Sequence, residues 1–210
     1  KHDRAGRLID AQEFRFLRFR RDRFEPAVLE ELTQSCTSSL IEDGEHLILT
    51  HLYLERRLRP LNLYLRETQP EQALRAILDY GQAIKDLAMS NVFAGDLLLK
   101  NFGVTRHGRV IFYDYDELAL VTDCRFREMP QPSDDEDDTR GQDWYYVGEN
   151  DVFPEQFTEF LGLKPELKRA LIERHGDIFT VRWWHAMQRE LNAGKFYDIP
   201  PYRDEVRVPR

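Results

Sequence analysis

Four residues near the middle of the chain have the types and spacing to move a phosphoryl group. Asp96 and Asn101 stand five apart, Lys100 lies between them, and Asp114 follows 13 residues after Asn101. Phosphoryl transfer asks little covalent chemistry of a protein. It is governed by positioning and by stabilisation of charge, so it needs an acid, a cation and oxygen donors for a metal. Asp96 would orient the attacking hydroxyl and accept its proton, and Lys100 would neutralise charge on the transferred oxygens. Asn101 with Asp114 would hold Mg²⁺ against the phosphates. Singly, each residue reads as an ordinary turn or loop filler; their joint spacing is what points to chemistry.

The elements that must position these residues follow from the pattern of apolar side chains. Between Thr68 and Met89, Leu74, Ile77, Leu78, Ile84, Leu87 and Ala88 recur at helical spacing, with Thr68 and Glu71 as a capping box around Pro70. A loop over residues 91–101 comes next. Two short apolar runs around His107-Gly108 then predict a hairpin that ends at Asp114. The order helix, loop, hairpin and acidic turn is that of a protein-kinase catalytic loop, H-R-D-L-x-x-x-N followed by D-F-G. Here Val92-Phe93-Ala94-Gly95-Asp96 lacks the His-Arg pair, and Asp114-Tyr115-Asp116 stands for D-F-G.

Upstream, residues 13–24 alternate apolar side chains with arginines and slip once at Leu17, which predicts a strand carrying a bulge. A short helix from Pro26 to about Cys36 and a strand, turn and strand over residues 39–52 complete a small sheet with one helix. Downstream, residues 154–163, 165–174 and 180–192 read as three helices, with Trp183 and Trp184 as core. The fold class is α+β.

Composition removes several functions. Lys and Arg number 30 against 38 Asp and Glu, for a net charge of −8, whereas nucleic-acid binders carry a basic excess. Most of the acidic excess is one run, residues 134–138, read as a solvated loop beside Ser133. Two cysteines make no disulfide framework, and neither His175 nor His185 has ligand partners at metal spacing. No run reaches the 18 to 20 apolar residues of a membrane span. The expectation is a cytoplasmic protein bound to neither membrane nor nucleic acid.

Three strings closely resemble the isocitrate dehydrogenase kinase/phosphatase family of bacteria. They are H-L-Y-L-E-R-R-L-R-P-L-N at 51–62, G-D-L-L-L-K-N-F-G-V at 95–104 and F-Y-D-Y-D-E at 112–117, and the likeness runs from about Gly6 to the end. The resemblance implies a bifunctional enzyme on a protein-kinase-like fold. It would phosphorylate a serine of isocitrate dehydrogenase and remove that phosphate at one nucleotide site, using ATP or ADP with Mg²⁺ or Mn²⁺. The switch would control flux between the citric acid cycle and the glyoxylate bypass.

By position, Glu55 and Leu58 would be the hinge that meets adenine, Asp96 the catalytic acid, and Asn101 and Asp114 the metal ligands. Asp114 with Asp116 would serve the phosphatase reaction, and Gly6, Arg7, Asp10 and Glu13 match a G-R-x-x-D-x-x-E stretch that nominates Asp10. The implied layout is a remnant of the small upper lobe over 1–53, a hinge at 54–60 and a mainly helical lobe over 61–210. That lobe would hold the catalytic loop at 91–101 and an activation-segment-like loop at 117–150. None of the 11 glycines forms a glycine-rich phosphate loop. The expectation is therefore the C-terminal part of a longer enzyme, whose regulatory and ATP-binding portion lies upstream. The alternative is a catalytically inactive kinase-like lobe acting as a binding or regulatory module.

Overall fold

The structure, a computed structural model, describes residues 6–9, 11–129 and 146–201. Its contacts divide the chain into two bodies, Ile9–Arg56 and Arg57–Arg210, the second taking in the residues up to Leu8. The acidic run at 134–138 lies outside the described residues.

The first body holds β1 (Ala11–Arg20), α1 (Pro26–Ser35), β2 (Leu40–Asp43) and β3 (His46–Glu55). The strands form an antiparallel sheet in the order β1-β3-β2. Pro26 opens α1, where its missing N–H and fixed φ cost nothing. Gly44, at φ +57, supplies the left-handed residue of the tight turn between β2 and β3.

The bulge expected at Leu17 is absent. Register passes from Arg15↔His51 to Leu17↔Leu49 with no inserted residue. The slip in alternation is taken up instead by Phe16 at φ +53, where a bulky side chain is strained. Phe16 is exposed, while Phe14 and Leu17 both keep to half-buried positions.

The second body begins with β4 (Arg59–Pro60) and α2 (Leu61–Glu67), followed by α3 (Pro70–Met89) and β5 (Val92–Phe93). It continues through β6 (Phe102–Val104), β7 (Val110–Phe112), β8 (Ala119–Leu120), β9 (Arg125–Phe126) and β10 (Asp151–Val152), and closes with α4 (Pro165–His175) and α5 (Val181–Asn192). Three small sheets result: β4-β6-β7, the antiparallel pair β5-β8 and the parallel pair β10-β9.

Helix α3 buries Ala73, Ala76, Ile77, Tyr80, Ala83, Ile84 and Leu87, the stripe its 3.6-residue period dictates, and packs against α4 and β7. Its start differs from the capping box. Pro70 is the first helical residue, so Gln69 is the cap and Thr68 falls one position too early; the Thr68 hydroxyl pairs with the Gln72 side chain instead. Residues 154–163 form only a 3-10 turn, Pro154–Thr158, because Gly162 at φ +58 and Pro165 leave too little length for a helix to propagate.

Trp184 anchors the far side of the core. It stacks on Phe126 at 4.6 Å, meets Phe93 edge-on at 5.6 Å, and donates its indole N–H to the Ile178 carbonyl at 2.8 Å. Among the described residues, no helix is long and apolar enough to cross a membrane.

Candidate active site

The loop that carries Asp96 is fixed at both ends. At its start, Asn91 takes the left-handed conformation that ends α3, at φ +59, and β5 pairs with β8. Gly95 then adopts φ +68, and a Cβ there would lie 2.4 Å from the Glu117 carbonyl oxygen. Only glycine lets the backbone of the Asp96 loop lie directly against the segment that carries Asp116. At its far end the loop closes in the 3-10 turn Leu99–Asn101 and runs into β6.

Within the loop the side chains are bonded to its backbone. Asp96 Oδ1 accepts the Leu98 amide at 2.8 Å, an Asx turn that holds one carboxylate oxygen and leaves the other as an acceptor. Asn101 is buried, and its Nδ2 donates to the Asp96 carbonyl at 3.4 Å, which leaves its amide oxygen for another partner. The spacing of five thus has a geometric meaning: it is the length of a closed turn.

Asp114 follows the hairpin, whose end is bonded back to the loop. Phe102 pairs with Phe112, and the Tyr113 amide donates to the Asn101 carbonyl at 3.1 Å. The Tyr113 phenol donates to the Lys100 carbonyl. Partial burial, and secondarily the Asp114 charge, push the Tyr113 phenol's pKa up and keep it a donor. The backbone thereby joins Asn101 to the residue next to Asp114.

The remaining candidates are distributed differently. Asp116 is exposed on the turn that touches Gly95. Lys100 is exposed and lines a groove of about 310 Å³ with Asn62 and Lys164. Leu58 is half-buried against Gly103, where an added Cβ would lie 2.8 Å from the Leu58 Cβ, so it packs on the strand that follows Asn101. Glu55 ends β3 in the other body, opposite Ala11. Asp10 lies outside the described residues.

Among the described residues, no group of three or more His, Cys, Asp or Glu side chains is arranged to hold a metal ion. An amide oxygen and one carboxylate are nonetheless a suitable donor set for Mg²⁺, which retains waters and takes further oxygens from phosphates.

A layer of support behind the loops escaped the sequence reading. Arg7 is buried and donates to Asp86 at 2.7 Å, to both oxygens of Asp79 at 2.8 and 2.9 Å, and to the Val110 carbonyl at 2.8 Å. Gly6 is required beside it, because a Cβ would stand 2.4 Å from the Ile199 carbonyl oxygen. The available signal was Asp79 and Asp86, seven apart on the apolar face of α3: carboxylates on a buried stripe demand a cation. Tyr80, also on that face, donates its hydroxyl to the Leu97 carbonyl.

These loops and their hairpin fall within a match that spans nearly the whole sequence. Residues 1–204 fit the family model described as the isocitrate dehydrogenase kinase/phosphatase (AceK) kinase domain, and the chain belongs to that family. Its relatives include the isocitrate dehydrogenase kinase/phosphatase of Anaeromyxobacter sp. (strain Fw109-5), 55% identical over 208 residues, covering 99% of this chain and 36% of the relative. The proteins of the same name from Xanthomonas euvesicatoria pv. vesicatoria (strain 85-10) and Methylibium petroleiphilum are 52% and 46% identical, covering 98% and 100% of this chain and 36% and 34% of theirs. The chain spans about a third of the length of these curated relatives.

Proposed function

We propose that this chain is the catalytic lobe, kinase-like in fold, of an ATP-dependent protein serine kinase and phosphatase acting on isocitrate dehydrogenase. The observation that carries the reading is the closed turn from Asp96 to Asn101, with Tyr113 bonded to Asn101 and Asp114 next in line. It brings a carboxylate and an amide oxygen into one short turn and places a second carboxylate one residue beyond a backbone bond to that turn.

Each part has a task in moving phosphate to a serine hydroxyl. Asp96 has one oxygen committed to the Leu98 amide, so its free oxygen keeps a fixed direction and can accept the hydroxyl proton as the phosphoryl group arrives. Asn101 and Asp114 would hold Mg²⁺, which neutralises charge on the phosphate oxygens when bound. Asp116 stands on the turn against Gly95, close in sequence to Asp114, where a carboxylate would direct water at the phosphoserine in the phosphatase reaction, with inorganic phosphate released and the serine hydroxyl restored. Leu58, packed on the strand that follows Asn101, would offer an apolar surface to adenine. A cleft of about 700 Å³ bordered by Gly95, Glu117 and Phe157 has room for residues flanking the serine. The assignment of isocitrate dehydrogenase rests on the names of the relatives. An upstream portion supplying the phosphate-binding loop, and control of the glyoxylate bypass from the cytoplasm, belong to the same proposal.

The test is Asp96→Ala in the full-length gene product, assayed with Mg-ATP and purified isocitrate dehydrogenase. Loss of the proton acceptor should lower kinase turnover roughly 10²- to 10⁴-fold with the fold retained. Unchanged turnover would remove Asp96 from the role. A wild-type protein that binds isocitrate dehydrogenase without transferring phosphate would make the lobe a binding module.

A further inference from the structure

We infer that Asp79 and Tyr80, neighbours on α3, are positioning residues that fix the Asp96 loop and the Asp114 strand to one rigid helix. The inference rests on the reading of those loops as a phosphoryl-transfer site, but its geometry is independent of which substrate is used.

Tyr80 is 1% exposed, and its ring is held edge-on to Phe102 at 4.8 Å. Its hydroxyl donates to the carbonyl of Leu97, the residue between Asp96 and the Leu98 amide that Asp96 accepts. The bond therefore ends on the peptide inside the Asx turn. Burial, and secondarily the charge of Asp96, push the phenol's pKa far up, so it remains a donor at every working pH. A Phe would fill the same space and keep the same ring contacts; the hydroxyl adds nothing to packing, and its one bond goes to the catalytic loop.

Asp79 does the equivalent for the other loop. Its Oδ2 accepts the Val110 amide at 2.6 Å at the start of β7. The same carboxylate is held by Arg7, whose own backbone carbonyl accepts the Phe112 amide at 2.7 Å at the strand's end. Strand β7 is thus pinned at both ends, two residues before Asp114. Two successive residues of a helix differ in direction by about 100°, so one helical turn can hold the loop with Tyr80 and the strand with Asp79. The separation of the two acids is then set by α3, and a displacement of about 1 Å can cost on the order of 10²-fold in rate.

Two variants of the full-length gene product test this. Tyr80→Phe should lower kcat about 10- to 100-fold while KM for Mg-ATP and for isocitrate dehydrogenase stays within about twofold, because alignment is lost and binding is kept. Without any substrate, amide hydrogen exchange should quicken about tenfold or more at Leu98 and stay unchanged at Val110. Asp79→Asn should reverse that pattern, and if it fails to fold, the Tyr80→Phe arm decides alone. Unchanged exchange at Leu98 in Tyr80→Phe would overturn the inference, as would a loss of protection spread evenly through the molecule. A wild-type protein inactive on isocitrate dehydrogenase would refute the functional reading, while the exchange pattern would still judge the positioning.

Discussion

In the proposed mechanism Asp96 and Asp114 would play unequal parts, and the difference can be measured. Asp96 is tied to its own loop by an Asx turn and is suited to one proton in one direction. Asp114 stands beside a residue bonded to Asn101, and with Asn101 it would hold Mg²⁺, whose charge would be wanted both when phosphate arrives at serine and when it leaves. Asp114→Ala in the full-length gene product is expected to abolish both kinase and phosphatase activity, whereas Asp96→Ala should weigh mainly on the kinase. Paired assays on phosphorylated and unphosphorylated isocitrate dehydrogenase check this. Full phosphatase activity in Asp114→Ala would break the shared-site account for that residue.

At the scale of elements, the contact between α3 and α4 reverses a common rule. Glycine inside a helix normally costs about 1 kcal/mol relative to alanine, so Gly81→Ala would ordinarily stabilise α3. Here an added Cβ would lie 2.5 Å from the His175 Cδ2 and 2.6 Å from its Cγ, at the root of a buried ring. The ring must move, and overpacking of this kind costs about 1 to 3 kcal/mol, so Gly81→Ala should lower the midpoint of urea unfolding. A stabilised variant would show that the ring has room to yield.

His175 also sets a pH dependence. Burial, then the nearby charge of Lys85, lower its pKa from the ordinary 6.5. In the unfolded chain it takes up a proton near that ordinary value, while in the folded protein it resists until the pH is lower. Its contribution to stability is therefore complete above about pH 6.5 and is lost as pH falls through the folded value. Tm measured from pH 7.5 down to pH 5 should fall less steeply in His175→Gln than in the wild type; parallel curves would exclude the histidine.

At the scale of the whole molecule, Arg7 ties together parts of the second body that lie far apart in sequence. It connects the start of the chain to α3 through Asp79 and Asp86 and to β7 through Val110, spanning up to 103 residues of sequence. Removing one partner of a buried ion pair strands the other charge, at about 3 to 5 kcal/mol. Arg7→Met keeps most of the volume and loses the charge, so a loss of stability of that order is expected by denaturant titration. A near-neutral change would mean that water reaches Asp79 and Asp86 once the guanidinium is gone.

What could be read from the chain alone was local or periodic. The α3 stripe, the strand pair around Gly44 and the hairpin around Gly108 follow from spacings of a few residues, because helix and strand repeats are set by the backbone. The Asp96-to-Asn101 interval was legible for the same reason: both ends belong to one short turn. Tertiary structure decided the rest. The slip at Leu17 became a left-handed Phe16 because the partner strand admitted no extra residue. The bond from Tyr80 to Leu97 crosses 17 residues and that from Arg7 to Asp86 crosses 79. Such pairings depend on which helix face meets which loop, a matter of packing that no spacing along the sequence encodes.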